Sequence, residues 1–171
     1  DLPDARVVIG TEAVLHRFDD VGLVAFVDLD QELLAPRYRA SEEALALLVL
    51  ACRALGGRTR GGRLLLQTRL PDHEVVRAAL RADPTLVADA EQRRRSMLRF
   101  PPYATIASVG GEAAPELVER LGRPLGVEVL GPDDGRWLLR SDEPGPLLDA
   151  LASVQRPPGR LRLHVDPARI R

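Results

Sequence analysis

The chain has 171 residues, 45% hydrophobic and 29% charged, the balance of a soluble globular protein with room for one ordinary domain or two small ones. Its formal net charge of −1 gives no global drive toward nucleic acid, so a nucleic-acid role has to rest on a local patch. The single cysteine, Cys52, excludes an intrachain disulfide and a cysteine-based zinc site, and no apolar run reaches membrane-spanning length, which points to a cytoplasmic protein.

In chain order, Arg6 to Gly10 and Gly22 to Asp28 are short runs rich in β-branched residues, the pattern of buried strands in a parallel sheet. Ser41 to Leu55 has Ser41 as an N-cap candidate, acids in the first turn and a nearly continuous apolar body, so a buried helix is expected. Gly56-Gly57 stops it, and Leu64 to Thr68 reads as a further strand. Pro71-Asp72 opens a helix to Leu80, and Asp83-Pro84 opens another to Leu98, together a connector. After Pro101-Pro102 the pattern is strand (Tyr103 to Val109), helix (Ala114 to Gly122), strand (Gly126 to Leu130), strand (Arg136 to Arg140), helix (Gly145 to Val154) and strand (Arg160 to Val165). That βαββαβ order suggests a small ferredoxin-like α+β domain. The expected division is 1–70, a partial parallel α/β lobe, 71–100, the connector, and 101–171, the α+β domain. The chain opens on Asp1 rather than Met, and it is read as an excerpt of a longer protein.

Several short motifs follow one another along the chain: Gly10-Thr11, Val27-Asp28-Leu29-Asp30, Pro36-Arg37-Tyr38-Arg39-Ala40-Ser41-Glu42 and Gln67-Thr68-Arg69-Leu70-Pro71-Asp72-His73. They are followed by an Arg-rich helix end before Phe100-Pro101-Pro102-Tyr103, by Gly131-Pro132, and by Val165-Asp166-Pro167. In this collinear arrangement the chain resembles the C-terminal part of the PriA family, also called primosomal protein N′. The resemblance implies an ATP-dependent DNA helicase that binds abandoned replication forks and reloads the replication machinery. Residues 1–70 would then close the second helicase lobe, and 101–171 would be the family's C-terminal domain. The ATP/Mg phosphate loop and the zinc site implied by the family would lie upstream, and this segment itself is expected to hold no cofactor.

Two departures bear on the motor. The family's Gly-Thr strand end leads into Gln-Met-x-x-Lys-Gly-x-x-Phe, whereas Gly10-Thr11 is followed by Glu12, Ala13, Val14, Leu15, His16 and Arg17, with Phe18 two residues early. In the family's Gln-x-x-Gly-Arg-x-Gly-Arg motif the arginines face the ATP phosphates. Here an ungapped count from Glu42 puts Ala54 and Gly57 at those positions, leaving Arg53 and Arg58 as displaced neighbours. Gly10, Thr11, Arg53 and Arg58 are thus the remains of a nucleotide site, and no catalytic residue or metal ligand is expected. The expected product is a DNA-binding replication-restart factor without ATPase or helicase activity. Two other readings stand beside it: an active ATP-dependent helicase whose motifs have drifted, and an interaction module for the single-stranded-DNA-binding protein.

The DNA-binding candidates come from the residues themselves. Arg93, Arg94 and Arg95 form a basic run, followed by Arg99. In the last strand a period of two sets Arg160, Arg162 and His164 on one face, and Arg136 and Arg140 share a side of their strand with Trp137 alternating into the core. A basic sheet face of this kind suits the phosphates of single-stranded or forked DNA, the expected partner, with primosome components as further partners and no membrane.

Overall fold

The computed structural model describes residues 6–56 and 61–167. The chain divides into two compact units, 1–91 and 92–171, and the described residues hold one parallel and one antiparallel sheet. The 71–100 segment holds two helices, and the division between units falls inside the second.

In the first unit a 3-10 turn, Glu12–His16, precedes β1 (Leu23–Phe26), α1 (Asp30–Leu33), α2 (Ala40–Ala54), β2 (Arg63–Leu66) and α3 (Glu74–Arg81), and α4 (Thr85–Leu98) begins here. β1 and β2 pair in parallel, from Leu23 opposite Arg63 to Phe26 opposite Leu66. The period of two sorts their side chains: Phe26, Leu64 and Leu66 pack on a core of Leu29, Leu33, Ala44, Leu48, Val75, Val76, Ala78 and Val87. Leu23 and Leu65 alternate outward and are 52% and 54% exposed. The core thus draws on α3 and the start of α4 as well as on the elements before residue 70.

Three expectations for this unit need correction. Arg6 to Gly10 forms no strand, and Val7 and Ile9 are 78% and 95% exposed. A β-branched run becomes a strand only where a neighbouring backbone pairs with it, and among the described residues none does. Secondly, α2 is buried on one face only: Ala44, Leu48 and Ala51 face inward at helical spacing, while Val49 is 47% exposed and Cys52 lies on the surface. Thirdly, Ser41 lies inside α2, where its hydroxyl donates to Glu74 Oε1 at 3.1 Å, and Arg39 occupies the N-cap position without a capping bond, its Nε donating instead to Glu42 Oε2 at 2.8 Å. His73 caps α3, its Nδ1 accepting from Val75 N–H at 3.3 Å, and Asp83 Oδ1 accepts from Thr85 N–H at 3.0 Å at the start of α4.

Where the parallel pair ends, Asp30 joins the two strands. Gln67 N donates to Phe26 O at 2.9 Å and Leu29 N to Gln67 O at 3.1 Å, which brings the chain after β2 beside the start of α1. The Asp30 carboxylate, buried to 5% exposure, accepts from Thr68 Oγ1, from Arg69 N at 3.2 Å and from Arg69 Nε at 2.9 Å. These donors, Thr68 first and Arg69 next, hold its carboxyl below the usual carboxylate range.

The second unit runs from the end of α4 through β3 (Thr105–Gly110), α5 (Ala114–Leu121), β4 (Glu128–Asp133), β5 (Arg136–Ser141), α6 (Pro144–Ser153) and β6 (Arg162–Val165). The strand order is β4-β5-β3-β6, with every neighbouring pair antiparallel. Both helices cover one side of the sheet: Leu117, Leu121, Leu147 and Ala150 pack on Ala107, Val109 and Leu139, with Val129 and Trp137 against the same cluster. Near the turn into α5, Gly111 has φ +103° and lies so close to Arg160 that a β-carbon there would stand 2.5 Å from its carbonyl oxygen, so only glycine fits. Asp166 closes the other end of the β3–β6 pair, donating its N–H to Ile106 O at 2.8 Å and accepting from Ile106 N at 2.9 Å through Oδ1.

A depressed carboxyl stabilises the fold while ionised, above the unfolded value of about 3.9, and this contribution is lost as pH falls through the lower folded value. Asp30→Asn should therefore be less stable than the parent at neutral pH, and its stability should decline less steeply below about pH 4. Urea midpoints measured between neutral and acid pH check this; parallel curves for the two proteins would contradict it.

Candidate nucleic-acid interface

The face of the second sheet opposite the helices is set by the even-numbered residues of its strands, because Val109, Trp137 and Leu139 all point to the helix side. One rung across three strands carries Arg136, Gly110 and Arg162, with Gly110 the register partner of both arginines. The next rung carries Leu138, Ser108 and His164. Arg162 and His164 are exposed, as is Arg136. Residues 92–171 hold 13 Arg against 10 Asp and Glu, a formal +3, whereas 1–91 holds 11 against 15, a formal −4. The near-zero total charge therefore conceals a basic half, and this half contains the sheet.

The third rung is different. Arg140 faces Ile106, which is fully buried, and all three guanidinium nitrogens of Arg140 are occupied: Nε and Nη2 donate to Glu128 Oε2 at 3.0 and 2.7 Å, and Nη1 to Leu98 O at 3.1 Å. Arg99 joins the same group, with Nη1 3.4 Å from Glu128 Oε2 and Nη2 2.6 Å from Asp142 Oδ1. Arg140, expected on the DNA face, is a tie between β5, β4 and the end of α4. Its stem follows the predicted alternation, but its charge is spent inside the unit.

The other candidates are dispersed. Arg160 is exposed just before β6, outside the ladder, and its carbonyl accepts from Ala113 N at 3.1 Å. Arg93, Arg94 and Arg95 occupy consecutive positions of α4 and so fan around the helix by about 100° per residue, which makes no single patch. Arg93 is exposed, and Arg95 Nη1 donates to Pro101 O at 3.4 Å. Trp137 packs against the helix-side cluster, on the opposite face from Arg136 and Arg162.

Of the residues expected to be remains of a nucleotide site, Gly10 and Thr11 lead into the 3-10 turn, where Thr11 makes no side-chain cap and its carbonyl accepts from Val14 N at 3.0 Å. Ala54, at the first arginine position, is 2% exposed and its carbonyl accepts from Val21 N at 2.9 Å. Arg53 is exposed one residue earlier and borders a shallow hollow of about 530 Å³ between α2 and α4 with Arg39, Val49 and Pro84. Gly57 and Arg58 lie outside the described residues. Among the described residues no cluster of three or more His, Cys, Asp or Glu could hold a metal ion, and no helix is long and apolar enough to cross a membrane.

Sequence reasoning missed Gly110 and Ser108 as members of the face. The signal was present, since Gly110 and Ser108 share a strand parity opposite to Ala107 and Val109, but the pairing of β3 with both β5 and β6 supplies the rung.

No protein-family model matches the chain. Curated proteins do: "Replication restart protein PriA" of Thermotoga maritima is 30% identical over 144 residues, 78% of this chain and 19% of the relative. The protein of the same name from Chlamydia pneumoniae is 31% identical over 101 residues, 58% of this chain and 14% of its own length. That of Treponema pallidum is 29% identical over 140 residues, 74% and 21% respectively. In these bacteria the match falls in the C-terminal part of the relative.

This chain belongs to the PriA family. It spans about a fifth or less of the length of the PriA proteins it matches. The residues that carry the PriA resemblance are largely occupied with internal ties. Asp30, Thr68 and Arg69 form one hydrogen-bonded group, Arg37 pairs with Glu32 at 2.8 Å and with Glu43 at 2.9 Å, and Asp166 closes β3 against β6.

Arg140→Ala should cost about 1–2 kcal/mol of stability, because it strips two donors from Glu128 and one from the end of α4. It should leave the salt dependence of DNA binding unchanged. Denaturant unfolding and a salt titration of binding check the pair of outcomes; an unchanged midpoint with a flattened salt slope would show that Arg140 serves DNA instead.

Proposed function

We propose that this chain is the DNA-contacting C-terminal part of a PriA-type replication-restart protein that keeps the scaffold of the family and lacks its motor. The observation that carries the reading is the Arg136–Gly110–Arg162 rung on the helix-free face of the sheet in the basic half of the chain. Phosphates supply most of the affinity in such binding, and cations held on a rigid sheet lose little freedom on meeting them. Single-stranded or forked DNA is the partner of this reading, acting in the cytoplasm. The names of the relatives support the process, replication restart.

The same proposal assigns the folds. The order β4-β5-β3-β6, all antiparallel, with α5 and α6 on one side supports a ferredoxin-like C-terminal domain. The parallel β1–β2 pair with its helices supports the end of a second helicase lobe. Loss of the motor rests on Ala54 and Gly57 standing where phosphate-facing arginines belong, since removing an arginine that stabilises phosphoryl transfer costs on the order of 10³ to 10⁵ in rate. Arg53 does not replace Ala54: one helical step turns it by about 100°, onto the exposed side of α2. The competing reading as a docking module for the tail of the single-stranded-DNA-binding protein finds less support, because α6 opens on Asp142-Glu143-Pro144, acidic where an acidic tail needs a cation.

The experiment has two arms. The chain carrying Arg160→Glu and Arg162→Glu together should bind single-stranded DNA at least about tenfold more weakly than the parent, with the parent's affinity falling steeply as salt rises. The complete protein that contains this segment should turn over ATP negligibly with or without DNA. Unchanged affinity would remove the sheet face from the account, and DNA-stimulated ATP turnover abolished by Arg58→Ala would restore the motor.

A further inference from the structure

The two edges of the antiparallel sheet are built differently. On β4 the ladder with β5 shifts register between Leu130 and Asp133, and Pro132, which has no N–H to offer, lies in that stretch. An edge of this kind resists a further strand. β6 has no such break: Arg162, Leu163, His164 and Val165 stand opposite Gly110, Val109, Ser108 and Ala107 in unbroken register, and all of them are exposed. The hydrogen bond from Asp166 N to Ile106 O fixes the phase of this ladder. Bonded and non-bonded pairs alternate along antiparallel strands, so His164 and Arg162 turn their backbone groups to β3, whereas Leu163 and Val165 turn theirs outward. Among the described residues, the N–H and C=O of Leu163 and Val165 meet no partner.

The side chains of this edge specify what can join it. Leu163 and Val165 share the helix side with Val109 and Ala107 and are 41% and 42% exposed, an apolar margin left open where no strand lies beside it. Arg162 and His164 take the opposite side, and Arg160 is exposed just before the strand. Unlike charges on neighbouring strands stabilise their pairing and like charges weaken it, which favours an acidic strand over a second copy of this arginine-bearing one.

We propose that the outer edge of β6 takes up an extended internal segment of a partner protein as a further strand, and that this segment alternates acidic with apolar residues. The added strand runs antiparallel to β6, as every other pair in the sheet does. Its apolar residues lie opposite Leu163 and Val165 and turn their own N–H and C=O groups to β6, while its carboxylates lie on the side of Arg162 and His164. Backbone bonds supply the affinity, and the alternation supplies the choice of partner. This goes beyond the DNA-binding reading, since the segment joins the sheet at its edge and not on its face.

The probe is a capped, dye-labelled peptide of alternating glutamate and valine, about eight residues long, titrated with the 171-residue chain and read by fluorescence anisotropy. The parent should bind it, and a peptide with lysine in place of glutamate should bind at least about tenfold more weakly. Methylating the valine nitrogens should also cost at least about tenfold, because it removes the donors that face β6, whereas methylating the glutamate nitrogens should cost little. Leu163→Pro removes an outward N–H and spares the ladder to β3, so this variant should keep the parent's far-ultraviolet circular dichroism and lose the peptide. Equal binding of the two methylated peptides would overturn strand addition, and because that arm uses only the parent chain it decides the matter even where Leu163→Pro fails to fold. Undiminished binding by a folded Leu163→Pro variant would overturn it as well. Sedimentation showing the parent as a dimer and Leu163→Pro as a monomer would give the edge to a second copy and overturn the acidic partner. No binding of the glutamate peptide by the parent would overturn the proposal outright.

Discussion

Short strands end with backbone N–H groups that have no ladder partner, and a buried amide without an acceptor is costly. In both units of this chain an aspartate carboxylate meets that need. Asp30 accepts from Arg69 N and from the Thr68 and Arg69 side chains, and so fastens the exits of β1 and β2 to each other. Asp166 accepts from Ile106 N while its own N–H bonds Ile106 O, and so holds the exposed edge strand β6 on β3. The second tie matters most for the site. With four residues in β6, all of them exposed, the register that places Arg162 beside Gly110 depends on a strand with little burial of its own to hold it.

This division of labour explains why the family's motifs are poor guides to chemistry here. Asp30, Thr68, Arg69, Arg37 and Asp166 all belong to stretches that carry the PriA resemblance, and each is engaged in an internal hydrogen bond or ion pair. In the proposed reading, Ala54 and Gly57 stand where the family's phosphate-directed arginines would be. Packing and strand ends constrain different residues from those that would face a nucleotide, so these ties hold the fold whatever the nucleotide site does.

The second unit was legible in the sequence almost element by element, because its strands alternate and its helices are bounded by Pro, Gly and acidic residues. Trp137 on the helix side follows directly from that alternation. The same rule misled at Arg140: parity gave its face correctly, but parity says nothing of Glu128 and the Leu98 carbonyl waiting there. In the first unit the run at Arg6 to Gly10 has strand composition and no ladder, since composition cannot supply a neighbour. α2 looked buried on all sides because Ala, Leu, Val and Cys fill it, yet Val49 and Cys52 face outward. Gly110 was missed because parity gives its face but not its neighbours, and the pairing between three strands that makes the rung is encoded by no single segment.

The central claim is that nucleic acid meets the helix-free face of the β4-β5-β3-β6 sheet. Amide chemical shifts of the isotope-labelled chain, followed as single-stranded DNA is added, test it most directly. The account predicts that the perturbed amides cluster at Ser108 and Gly110 on β3, Arg136 and Leu138 on β5, and Arg162 and His164 on β6, while those of α2 stay in place. Perturbation gathered instead around Arg39, Val49 and Arg53, with the sheet unmoved, would contradict it.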